Sequence, residues 1–284
     1  MSLRNLPEAR TFQRPQNFQW DAPSDVLAKW AETPLAAEST DDTTISMFEV
    51  IGEDWWTGGG VTAKRISAAL RSIGDKDVTV KINSPGGDMF EGIAIYNLLR
   101  AHKAKVTVEV LGWAASAASI IAMAGDEIRM GVGTFMMVHN AWGVVIGNRH
   151  DMRASADLFD GFDSAIADIY EARTGGKRAD IEKLMDAETF MGPSEAVKIG
   201  FADAIDDGIS APESDASNMD RGLMARRQTE AALAKAGFSR DKRSELLVEM
   251  GVSAAPRDAS RNPAARDAGI DPVAVQRLIN LMKS

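Results

Sequence analysis

A chain of 284 residues with no cysteine cannot use a cysteine nucleophile, a cysteine-ligated zinc or a disulfide. Its formal net charge of −9 and pI of about 5.0 argue against general nucleic-acid binding. With 45% hydrophobic and 26% charged residues, it has the composition of a folded protein and the length for one sizeable core with extensions.

The opening stretch, MSLRNLPEARTFQRPQNFQW, lacks the apolar run of a secretory leader, and no stretch approaches the ~18 apolar residues that suggest a membrane span. A protein that stays in the cytoplasm, with no membrane partner, is expected. Residues 1–44 are polar and proline-containing and read as a flexible N-terminal arm. Within it Trp20, Leu27 and Trp30 suit one short amphipathic helix packed locally on the body.

Residues 45–207 form the body. Ile45–Ile51 reads as a strand, and Thr62–Ile73 as a helix with Ile66, Ala69, Leu70 and Ile73 on one face. Val78–Ile82 is strand-like, Phe90–Ala101 helical, and Lys105–Leu111 alternates as a strand does before a glycine turn at Gly112. Ser116–Ala124 is small and apolar, as in a buried helix, and Glu127–Met130 and Phe135–Val138 are short strands. A longer helix spans Asp151–Arg173, its apolar positions Met152, Ala156, Phe159, Phe162, Ile166, Ile169 and Tyr170 recurring at helical spacing until TGG stops it. Such alternation predicts an α/β domain of parallel strands and crossover helices.

Residues 208–284 form a tail. GISAPESDASN has linker composition, helices are expected near Leu223–Lys235 and Arg240–Met250, and a second break precedes a short helix at Asp271–Met282. Residues 221–284 carry 12 Lys/Arg against 7 Asp/Glu, so this helical tail is either an interaction segment or a solvated extension.

Three histidines bound the acid–base chemistry. His102, in RAHKAK, and His150, in GNRHDMR, sit among charges and are expected to be solvated. His139 closes the apolar run GTFMMVHN, at the C-terminal end of a strand, where α/β sites form. A nucleophile for it is available in VEVLGWAASAASIIAMAG, where Ser116 opens a helix and gains free backbone N–H groups and the positive end of the dipole. The plainer reading is an N-cap serine. Ser119 lies a turn deeper and is expected to pack inside. In KINSPGGDMFEG, Pro85 sets a turn, and Gly86–Gly87 can expose backbone N–H groups to an oxyanion or a peptide. It is not a phosphate loop, because no G-x-x-x-x-G-K-[ST] is present, and the GGG at 58–60 reads as a turn. With no Cys, scattered His and no H-E-x-x-H, neither a metal nor a cofactor is implied.

INSPGG (82–87), GWAAS (112–116), MMVHN (136–140) and ETFMGPSEAVKIGFADAI (188–205) stand in the order and at spacings similar to those of the ClpP-like serine peptidases. The body resembles that family, especially the phage and prophage head maturation proteases. The resemblance implies a ClpP/crotonase-like spiral fold. It implies Ser116 as nucleophile, His139 as general base, and the Gly87 and Ala117 N–H groups as the oxyanion hole. The family has an aspartate where this chain has Glu188, just before TFMGPSEA; Asp186 is the alternative third member. The resemblance further implies a ring-forming homo-oligomer joined through the Asp151–Arg173 helix, with a polypeptide as substrate.

The arm and tail lie outside the resemblance and point to the phage branch, with capsid or scaffold protein as substrate inside a prohead. The alternative is a proteolytic subunit served by an AAA+ unfoldase, since the chain has no ATP-binding motif of its own. Two further readings are a crotonase-type acyl-CoA enzyme, which uses a backbone oxyanion hole without a serine nucleophile, and a non-catalytic assembly protein.

Overall fold

The computed structural model describes residues 6, 18–19, 26–27, 42–53, 60–209 and 221–249. Trp20 and Trp30 of the expected arm helix, residues 58 and 59 of the triple-glycine turn, residues 210–220 of the linker and the expected helix at Asp271–Met282 lie outside them.

The elements are β1 (Phe18–Gln19), β2 (Thr44–Met47), α1 (Ala63–Ile73), β3 (Val78–Ser84), α2 (Met89–Arg100), β4 (Val106–Ala115) and α3 (Ala117–Ala122). They continue with β5 (Glu127–Gly131), β6 (Phe135–Val138), β7 (Val144–Val145), α4 (Arg149–Thr174), α5 (Arg178–Asp186), β8 (Thr189–Met191), α6 (Pro193–Lys198), β9 (Ala204–Asp206), α7 (Arg221–Lys235) and α8 (Arg240–Glu249). The main sheet has the order β2-β3-β4-β5-β9, all parallel, and β6 pairs with β4 and, antiparallel, with β8. This is the α/β arrangement of parallel strands and crossover helices that the alternating pattern predicts.

Strand β4 organises the layers. Its first half, Thr107–Val110, pairs with β5, and its second half, Trp113–Ala115, pairs with β6. The sheet therefore steps sideways along one strand, which gives it a spiral course. The turn expected at Gly112 is absent, and β4 runs ten residues to Ala115. Gly112 is instead a contact point: a Cβ there would lie 2.6 Å from Asn83 Oδ1, and that oxygen accepts the Trp113 N–H at 3.1 Å. The Asn83 amide thus fills the register shift between Ile82 and Ser84 in the β3–β4 ladder.

The core holds Val80, Ile82, Ile95, Tyr96, Val108, Val110, Ile121 and Met136, all fully buried between sheet and helices. Helix α4 is 26 residues long, begins at an Asn148–Asp151 capping box and stops at Gly175 in the left-handed region. The C-terminal part of its apolar stripe, expected at a subunit contact, faces this chain's own core instead. Phe162, Ile166, Ile169 and Tyr170 are buried in this chain's own core, and Phe159 is half-buried and stacks edge-on against Phe162 at 5.9 Å. Met152 at the helix start stays exposed, with Trp142 and Ile146 before it.

His102 is also not solvated. It is buried, and its Nε2 lies 2.7 Å from the Lys76 carbonyl oxygen, tying together the turns before β3 and β4. The tail helices α7 and α8 pack on each other through Leu233, Leu246 and Leu247, and Arg227 donates to the Phe48 carbonyl at 2.7 Å. This part of the tail is docked. In the arm, Val26 is fully buried against Ala115, Met137, Trp113 and Phe190, and β1 pairs antiparallel with β7.

One ion pair locks α4 to the sheet. The Arg173 side chain is 2% exposed and donates to Asp203 Oδ2 at 2.5 Å, and that oxygen also accepts the Ile128 N–H at 2.8 Å. Removing one member of such a pair strands its partner. Arg173→Ala is expected to lower unfolding free energy by about 3 kcal/mol, read as a lower urea midpoint.

Candidate active site

Ser116 sits where β4 ends and α3 begins, at φ 54 and ψ −125. Among the described residues, only Ser116 and Glu188 have positive φ without being glycine. Such conformations cost ~1–3 kcal/mol and persist where the surroundings hold them. The surroundings here are clear. The Ser116 N–H donates to the Met137 carbonyl at 2.9 Å, and the Ser116 carbonyl accepts the Ser119 N–H at 2.9 Å and the Ser119 hydroxyl at 2.6 Å.

Ser116 occupies the N-cap position of α3, yet its hydroxyl makes no capping bond. Instead Oγ lies 2.6 Å from Nε2 of His139. Pairing of β4 with β6 brings them together. Ala115 is in register with Met137 on parallel strands, so Ser116, one residue on, and His139, two residues on, leave the same end of the sheet. His139 is buried, 7% exposed. Ser119 packs inside as expected: it is fully buried and its Oγ meets the Tyr170 hydroxyl at 2.7 Å. Burial pushes that phenol well above its usual range. His150 is exposed and takes no part.

The SPGGD turn lies against Ser116. Ser84 Oγ donates to the Glu49 carbonyl at 2.6 Å and accepts the Gly86 N–H at 3.2 Å, while Asp88 caps α2 through the Phe90 and Glu91 N–H groups. A Cβ on Gly86, at φ +88, would lie 2.5 Å from the Ala115 carbonyl oxygen and 2.6 Å from Ser116 Cβ; on Gly87, at φ +144, it would lie 2.2 Å from the Ile51 carbonyl oxygen. Only glycine lets this backbone approach so closely. No hydrogen bond runs from the Gly87 or Ala117 N–H to another described residue.

Two acids were expected to compete for the third position. Glu188 directly precedes β8, and the β6–β8 ladder ends at Val138 paired with Thr189, so Glu188 and His139 each lie one residue beyond the same last rung, Glu188 at φ 47. Asp186 Oδ1 accepts the Asn140 side-chain N–H at 2.8 Å. Both are exposed. A third carboxylate, Asp163 on α4, accepts the Ala141 N–H at 2.6 Å and went unnoticed in the sequence. Burial, then the neighbouring charges of Asp160 and Asp186, push its carboxyl up to about 6, against the pull of the Ala141 N–H. One signal was legible: an acid four residues after Phe159 and three before Ile166 lies on the helix's buried stripe. Among the described residues no group of three or more His, Asp or Glu is placed to hold a metal ion.

The family model for Clp protease matches residues 61–208. An ATP-dependent Clp protease proteolytic subunit from Deinococcus radiodurans is 32% identical over 135 residues; the match covers 47% of this chain and 66% of the relative, just under two thirds. A ClpP1 point mutant from Listeria monocytogenes superposes with a TM-score of 0.50 at 24% identity, covering 60% of this chain and 95% of that one. At that identity the likeness speaks for the fold alone.

Proposed function

We propose, since this chain belongs to the Clp protease family, that it is a serine endopeptidase whose catalytic domain is residues 45–207. The observation that carries this reading is the 2.6 Å contact between Ser116 Oγ and His139 Nε2 at a strained strand-to-helix corner. His139 accepts the hydroxyl proton as Ser116 Oγ attacks the scissile carbonyl carbon. The developing oxyanion is held by the Gly87 and Ala117 N–H groups, a kind of donor whose loss costs ~10²–10³ in rate. His139 then passes the proton to the leaving amine as the C–N bond breaks, and a water activated by the same imidazole hydrolyses the acyl-enzyme. A fluorophosphonate probe tests this reading. Covalent labelling mapped to Ser116 supports it; an unlabelled chain favours a crotonase-type or non-catalytic role.

Glu188 is the third member in this reading, orienting the imidazole from across the β6–β8 ladder. Glu188→Ala is expected to lower kcat by ~10⁴, the size of effect when the acid of such a triad is lost. Asp186→Ala, which removes a partner of Asn140, is expected to lower it by much less. Peptide hydrolysis by the two variants, measured side by side, decides between the acids.

The substrate is a polypeptide, and the working form a ring of identical chains. The exposed apolar residues Trp142 and Ile146 before α4 and Met152 in its first turn supply surface for subunit contact. For the biological setting we favour head maturation in a phage prohead, with capsid or scaffold protein cut. The arm and tail support it, lying outside the 61–208 match. The similarity to a proteolytic subunit named as ATP-dependent supports the other setting, a cytoplasmic partner of an AAA+ unfoldase. Cleavage of a co-expressed scaffold protein without ATP favours the first, and co-purification with an unfoldase the second.

A further inference from the structure

We propose that Asp163 is a positioning residue, which with Asp186 clamps the Asn140–Ala141 segment and so holds the His139 imidazole against Ser116. The inference rests on the reading of Ser116 and His139 as the reacting pair.

His139 follows the last residue of β6, so its backbone is past the rung that fixes Val138 to Thr189. Beyond that point two carboxylates from two different elements bond to the chain. Asp186, the last residue of α5, accepts from the Asn140 side chain at 2.8 Å, and Asp163 of α4 accepts from the Ala141 backbone at 2.6 Å. Both bonds are made by residues immediately following the imidazole. They fix the exit of the chain as the β6 ladder fixes its entry. A histidine must be oriented within a few tenths of an ångström to take a proton from the serine, and misplacement by about 1 Å can cost ~10² in rate.

The environment shows that this is a costly way to satisfy one amide. Asp163 is half-buried, and the charged groups acting on it are both acidic: Asp160 one turn earlier on its own helix, and Asp186 at the end of α5. An amide side chain would accept the same N–H without that cost. The sign of the linkage follows. The carboxyl binds its proton more tightly in the folded chain, up to about 6, than in an unfolded chain. Its contribution to stability is fully present below the ordinary aspartate range and is lost as pH rises through about 6. Above that pH the carboxylate forms the stronger, charge-assisted bond to Ala141, so the clamp tightens where the fold loses stability.

The test is the rate of Ser116 modification by a fluorophosphonate, measured on the full chain from about pH 5 to about pH 9 for the wild type, Asp163→Ala and Asp163→Asn. Asp163→Ala is expected to slow the plateau rate by ~10–100-fold. Asp163→Asn keeps an acceptor for Ala141 and is expected to recover most of that rate. Its pH profile keeps the wild type's shape, because a protonated carboxyl and an amide offer Ala141 the same neutral acceptor. Equal rates for the alanine variant and the wild type would overturn the inference, as would an asparagine variant as slow as alanine. The three rates are compared below the melting temperature of the alanine variant, so that loss of the fold does not stand in for loss of positioning. An unlabelled wild type would overturn the Ser116–His139 reading itself, and this inference with it.

Discussion

Ser116→Ala is expected to abolish fluorophosphonate labelling and to lower peptide turnover by on the order of 10⁶, the size of effect when the nucleophile of a serine–histidine unit is removed. His139→Ala should cost about as much, and the double variant little more, because the two act as one unit. The fold should survive the alanine change, since the hydroxyl makes no capping bond and the helix start is held by the Ser116 backbone. Ser116→Gly separates strain from chemistry. It loses the same activity but relieves a backbone at φ 54. Its stability is therefore expected to rise by about 1 kcal/mol over the alanine variant. A glycine variant no more stable than alanine would mean that the corner is not strained.

Gly86→Ala is expected to lower kcat by about 10² or more while the protein still folds. The methyl would fall 2.5 Å from the Ala115 carbonyl oxygen, 2.6 Å from Ser116 Cβ and 2.9 Å from the Ala117 nitrogen. These contacts are backbone or belong to the nucleophile itself, so no flexible side chain can swing away. The turn must retreat, taking the Gly87 N–H with it and opening the proposed oxyanion hole. A stability loss of about 1–3 kcal/mol accompanies it, since the position has positive φ. Gly133→Ala is the control. It too has positive φ, +79, but nothing lies within 4 Å of its added Cβ. It should lose stability alone. If both variants keep full labelling rates, the Gly86–Gly87 turn is not part of the machinery.

Much of this site is readable along the chain because its parts are short and local. GWAAS marks a small-residue corner where a strand meets a helix, MMVHN a buried strand ending in histidine, and INSPGGD a turn that only glycine can make. Each reports its own backbone conformation. The Gly112 turn misled for the same reason: a glycine suggests a break, but this one accommodates the Asn83 side chain across the sheet, which local sequence does not reveal. The α4 stripe misled differently. Helical spacing says that Phe162, Ile166 and Tyr170 face something apolar, but not whether that surface belongs to the same chain. His102 sits among charges in sequence and against the Lys76 carbonyl in space.

By itself, then, the sequence determined the alternating α/β order, the strand-to-helix corner at Ser116 and the histidine at the end of its strand. These follow from periodicity, chain stereochemistry and residue size over a few neighbouring positions. Only the tertiary structure decided that Ser116 Oγ and His139 Nε2 lie 2.6 Å apart, 23 residues from each other along the chain. It also decided that Asp186 holds Asn140 and that Asp163, 22 residues beyond Ala141, takes its N–H. Those contacts depend on how β4 splits between two partners and on how a long helix lies against the loop that follows β6. They are set by packing between distant segments, for which no local pattern exists.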